Sequence, residues 1–121
     1  MRRLMIMAIL IGWLSVVSAP LARADLLESK GRITFLRVHD VGTGFGPPSD
    51  FLDVEVVIQL DSEPGKSFGF QLRNDMNLAV RQGMLDILRD AFANNFPVLI
   101  DYNVTPPKVN GVIFRVAVVK Q

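Results

Sequence analysis

The run "FLDVEVVIQLD", residues 51–61, constrains this chain more than any other stretch. Leu52, Val54, Val56, Ile58 and Leu60 alternate with Asp53, Glu55, Val57 and Gln59. A side-chain period of two belongs to a strand with one face on a core and the other in water; a helix would scatter these residues around its axis. The even-numbered positions are therefore expected inside and the odd-numbered ones outside. A strand with one apolar face needs neighbours, and the rest of the chain has to supply them.

The stretch "SEPGK" (62–66) has the Pro-Gly chemistry of a turn, and "SFGFQLR" (67–73) then places Phe68, Phe70 and Leu72 inward with Gly69 and Gln71 outward. The two runs read as an antiparallel hairpin. Upstream, "KGRITFLRVH" (30–39) is rich in β-branched and aromatic residues, but its apolar phase slips: Ile33 and Phe35 share one face, Leu36 and Val38 the other. A bulge produces such a slip, and so does a bent strand that serves two sides of a sheet. After "RND" comes a helix with Asn74 or Asp75 as its N-cap, a stripe of Leu78, Leu85, Leu88 and Phe92 widened by Met84, Ile87 and Ala91, and an exit at Asn94 and Asn95 before Pro97. Two further strands follow, "PVLIDYNV" (97–104), with Val98, Ile100 and Tyr102 on one face, and "GVIFRVAVVK" (111–120), apolar on both faces. The expected fold is mainly β with one helix (α+β), in the order β-β-β-α-β-β. That is the order of an OB-fold, a five-stranded partly open barrel with a helix at one end.

The chain opens "MRRLMIMAILIGWLSVVSAPLARAD". Two arginines, an apolar run and small residues ending in A-x-A form the pattern of a secretory signal peptide over 1–24, which leaves one domain over 25–121. The apolar run falls short of the roughly 20 residues a spanning helix needs, so no membrane span is expected after processing. No cysteine follows it to carry a lipid. Periplasmic or secreted localisation follows. Three of the 13 basic residues, Arg2, Arg3 and Arg23, and none of the 12 acids precede Asp25, so the exported domain carries a formal charge of −2. That charge argues against nucleic acid as a partner, because phosphate contacts from a basic surface supply most of such affinity. The absence of cysteine also removes disulfides and thiolate chemistry, so packing must hold the domain together, assisted by self-association.

Chemistry-bearing residues gather in "HDVGTGFGPPSDF" (39–51), which holds the one histidine. Gly42, Gly44 and Gly46 are spaced G-x-G-x-G and lead through two prolines into a strand, whereas a dinucleotide fingerprint needs G-x-G-x-x-G opening into a helix. The glycines instead suit a wide turn with positive φ. Phe45 either folds back as a lid or stands ready to stack on a ligand. "EPGKS" (63–67) lacks the Walker glycine, since Leu60 stands at its place, and reads as a turn. His39, Asp40, Asp50 and Asp53 have neither transition-metal spacing nor a calcium-loop run, so no metal or cofactor is expected. Asp101, Tyr102, Asp53 and Glu55 lie on strands without a nucleophile motif beside them, and the chain is not expected to be an enzyme. The candidate ligand-binding residues are Phe45, Asp50, Asp53, Gln71 and Tyr102.

The strand "GRITFLRVH", the helix "NLAVRQGMLDILRDAFANN" and the strand "FPVLIDYNV" fall in an order that resembles the B subunits of secreted multisubunit bacterial toxins, the subtilase cytotoxin type especially. The resemblance implies a non-enzymatic, ring-forming, glycan-binding module. Those subunits usually carry a disulfide, which this chain cannot form. The functional expectation is an exported binding module that takes a glycan or a protein through the 42–50 loop and the outer strand faces, as a homo-oligomer joined through edge strands. The alternative is a periplasmic assembly protein that binds a protein partner and no small ligand.

Overall fold

The computed structural model describes residues 26–120; the expected signal peptide at 1–24 and the start at Asp25 lie outside the described residues. Five strands and one helix follow in the order β1 (Leu27–Val38), β2 (Val56–Leu60), β3 (Phe68–Phe70), α1 (Leu78–Asn94), β4 (Pro97–Asn103) and β5 (Gly111–Val118). The protein is mainly β with one helix, and its sheet closes in a ring in the order β1-β2-β3-β5-β4, with β4 returning to β1. All pairings are antiparallel except β3 with β5.

The phase slip in β1 is the device that closes the ring. Leu27 to Arg32 pair with β4, Ile33 to Val38 pair with β2, and the register shifts between Ile33 and Phe35. Ile33 and Leu36 therefore both pack toward the main core, while Phe35 faces the opposite side. That core is made by Ile33, Val56, Ile58, Leu60, Phe68, Phe70, Val98, Ile100, Tyr102 and Ile113 from the strands, with Met84, Leu88 and Ala91 from α1. Fully burying an aliphatic or aromatic side chain of this kind contributes about 1.5–3 kcal/mol.

The simple alternation expected along 52–60 holds only from Val56 onward. Glu55 and Val57, placed outside by the pattern, are buried, at 2% and 0% exposure. The chain bends at Glu55 before β2 begins, so Leu52 and Val54 lie on the outer side of the sheet with Val57. There they form a second apolar cluster with Phe35 and Phe45. Val57, on the outer face of β2, is dry because the preceding loop folds back over it.

The helix starts at Leu78, later than the expected caps, and Asn77 at the N-cap position makes no side-chain cap bond. The Asp75 carboxylate instead accepts the Asn77 N–H at 2.8 Å in a turn ahead of the helix. Met84, Leu88 and Ala91 form the buried stripe, whereas Phe92 is 47% exposed. Asn95 closes the helix in the left-handed conformation (φ 55°), as the asparagine pair before Pro97 predicts. In β5 the register shifts opposite Asp101 and Tyr102, so Ile113 points inward and Phe114 and Arg115 are both exposed. Among the described residues no helix is long and apolar enough to cross a membrane.

Candidate ligand groove between two loops

Two loops meet at one end of the ring: 39–55, between β1 and β2, and 104–110, between β4 and β5. The longer loop is ordered by its own sequence. Asp40 starts a turn by accepting from the backbone N–H and the hydroxyl of Thr43, at 3.3 and 2.7 Å. Gly42, Gly44 and Gly46 take φ of 91°, 61° and 100°, values that a side chain resists. Phe45 and Leu52 then exchange backbone hydrogen bonds at 2.9 and 2.7 Å, pinching 46–51 into a small lobe around the 3-10 turn Pro48–Asp50. Phe51 lies against Gly44 so closely that any Cβ there would meet its ring.

Asp50 joins the two loops. Its Oδ1 accepts the backbone N–H groups of Val109 and Asn110, each at 3.0 Å, and its carbonyl accepts from Asn110 Nδ2 at 3.0 Å. Asn110 passes the connection on by accepting the Ser67 N–H at 2.9 Å just before β3. Lys108 Nζ donates to the Phe51 carbonyl at 2.8 Å. Between the loops lies a groove of about 330 Å³, with Phe51 to Val54 on one wall, Phe70 and Gln71 at the end of β3, Val112 and Ile113 at the start of β5, and Arg81 and Lys108 supplying charge.

Beside the groove, Arg73 bridges two carboxylates. Its Nη2 meets Asp53 Oδ1 at 2.7 Å, and its Nε meets the buried Glu55 Oε1 at 2.8 Å. Glu55 Oε1 also accepts the Leu72 N–H at 3.1 Å. Bonding first to Glu55 and then to Asp53 pushes the guanidinium still further above its already high range. Gln71 Nε2 donates to the Asp53 carbonyl at 3.1 Å. His39 Nε2 donates to the Val54 carbonyl at 2.6 Å, fastening the other end of the same bend.

Of the five residues singled out from the sequence, Asp53 and Gln71 line the groove and Asp50 fixes its two walls. Phe45 folds back against Phe35, ring centroids 6.3 Å apart, in the outer cluster and outside the groove lining. Tyr102 stands apart from the groove. It is 4% exposed, packs edge-on to Phe68 at 4.6 Å, and gives its hydroxyl proton to Ser29, which donates in turn to Glu63. Its alternation with Val98 and Ile100 already placed it on the core face.

The groove's aromatic surface comes instead from Phe51, 37% exposed, and its charge from Lys108 and Arg81. Nothing in the sequence pattern marked these three. Phe51 is adjacent to the alternating run, Lys108 sits in a proline turn and Arg81 lies in a helix, and only the tertiary structure brings them together. The carboxylates near His39 do not converge, since Asp50 and Asp53 are each engaged elsewhere. A larger cleft, about 540 Å³, lies away from this end, between Asn95 to Pro97 and Val118 to Lys120, and contains none of the five residues. No family model matches the chain, and no curated protein or solved structure matches it either.

Proposed function

We propose that this chain is an exported, non-catalytic binding module built as an OB-like five-stranded barrel, and that it takes an extracytoplasmic ligand, carbohydrate or protein, in the groove between its 39–55 and 104–110 loops. The observation that carries this reading is the cross-loop latch at Asp50, which builds a groove of mixed aromatic and polar lining from two loops far apart in sequence. The strand order and the helix between β3 and β4 support the OB-like description. In that architecture the loops joining the first and second strands and the fourth and fifth strands are a recurrent site for oligosaccharides and oligonucleotides. The net charge after Arg23 disfavours the latter.

The resemblance to toxin B subunits adds self-association to the proposal, as a homo-oligomer. Ring closure leaves few strand edges for it among the described residues: each half of β1 is paired on one side only, and β5 beyond Val112 is paired with β4 alone. The test is a glycan array probed with the purified protein, with its native mass measured by light scattering. Saturable glycan binding that is lost in Phe51→Ala supports the carbohydrate reading. A blank array from folded protein transfers the reading to a protein partner, and a monomeric mass removes the oligomer.

A further inference from the structure

Asn110 and Gly111 form the one Asn-Gly pair in the chain. This dipeptide is the one most prone to lose its side-chain amide, because a glycine nitrogen with no Cβ beside it reaches the preceding carboxamide carbon with little hindrance. The fold requires both residues. A Cβ at Gly111 would stand 2.6 Å from the Tyr102 ring and 3.2 Å from the Asn103 carbonyl, so a larger residue there displaces its neighbours. At position 110 a short side chain has to accept at one end and donate at the other. Its Oδ1 accepts the Ser67 N–H at 2.9 Å, and its Nδ2 donates to the Asp50 carbonyl at 3.0 Å.

The same bonds hold the pair out of reaction. The Gly111 N–H donates to the Ser67 carbonyl at 3.0 Å as β5 begins beside β3, and the Asn110 N–H donates to Asp50 Oδ1 at 3.0 Å. Asn110 is only 6% exposed. For the two residues to react, the carboxamide has to swing onto the Gly111 nitrogen. That movement breaks its bonds to Ser67 and Asp50, and the nitrogen has to leave the Ser67 carbonyl. Reaction therefore waits on local opening of the 104–110 loop.

We infer that Asn110 is a deamidation site which the Asp50 latch holds closed, and that its conversion then weakens the latch permanently. In the opened loop the Gly111 nitrogen gives its proton to solvent base and bonds to Asn110 Cγ. The Cγ–Nδ2 bond breaks, and Nδ2 takes a proton from water and leaves as ammonia. A water molecule then opens the succinimide to aspartate or isoaspartate. Neither product donates to the Asp50 carbonyl, and both add a negative charge at the residue whose N–H the Asp50 carboxylate accepts. Isoaspartate also inserts its Cβ into the main chain where β5 starts. The inference holds whatever occupies the groove.

The test incubates the purified protein, its Asp50→Ala variant and a synthetic peptide of residues 107–113 in one mildly alkaline buffer, and follows the acid form at position 110 by peptide mass spectrometry. Thermal unfolding checks that the variant is folded. The peptide should convert fastest and the parent about tenfold or more slowly, with the variant between them, a range that two or three hydrogen bonds supply. A parent as fast as the peptide overturns the inference, and this comparison needs no variant. A folded variant no faster than the parent overturns the latch as the gate. Asn110→Asp installs one product directly, and hydrogen exchange at Val109 and at position 110 should quicken in it. Unchanged exchange at both amides overturns the weakening of the latch.

Discussion

The charge state of Glu63 is coupled to the fold. The Ser29 hydroxyl first, and Lys66 second, hold its carboxyl below its ordinary value of 4.5. Because the folded chain releases this proton more readily than the unfolded one, stability from Glu63 is complete above about pH 4.5 and is lost as pH falls through the lowered folded value. Ser29→Ala removes the larger cause. The difference in denaturant midpoint between the parent and Ser29→Ala should therefore be larger at pH 6 than at pH 3 (about 1.5 units below the ordinary value), as read by urea titrations at the two values. Ser29 also accepts from Tyr102, so an uncharged, pH-independent part of the loss remains at both. Glu55 shows how far the alternating pattern carries at single positions. Its place opposite the apolar residues predicts a wet carboxylate, yet it is buried against Arg73 and the Leu72 N–H. Its partners are separated from it in the chain by 18 and 17 residues, which no local pattern reports.

At the scale of elements, the helix was legible in type and exit but not in rotation. Leu88 and Phe92 both occupy the apolar stripe in the sequence, but Leu88 is wholly buried and Phe92 is half open to solvent. Leu88→Ala should lower stability by about 3 kcal/mol through a cavity in the core, while Phe92→Ala should change it by about 0.5 kcal/mol or less, both read by chemical unfolding. Equal effects would show that α1 is rotated relative to this description. The 39–55 loop offers a similar pair. Gly42 and Gly44 both need positive φ, but a Cβ at Gly42 meets open space and one at Gly44 meets the Phe51 ring. Gly42→Ala should cost about 1 kcal/mol from backbone strain alone. Gly44→Ala should cost more and should displace Phe51 from the groove, which a change in ligand affinity reports. Three glycines in a loop predict a turn, but the reason for the middle one is a ring seven residues further on.

For the whole molecule, the latch between distant loops is the feature with the clearest consequence. Asp50→Ala removes the acceptor for two backbone amides and should lower stability by about 1–2 kcal/mol. Hydrogen exchange should quicken at Val109 and Asn110 before it does in β4, and ligand affinity should fall with it, because the two groove walls are no longer held together. Unchanged exchange at those amides would show that the loops are fixed by something other than Asp50. The sequence by itself determined the number, type and order of the elements, since strand and helix periods and proline or asparagine stops are local properties of the chain. It also located the bend in β1, because a phase slip is written in consecutive residues. Only the tertiary structure decided which faces are dry and which residues meet in the groove. Val57, on the outer side of β2, is covered by a loop that doubles back over it, and Phe51, Arg81 and Lys108 become neighbours through tertiary packing, a long-range event that no spacing encodes.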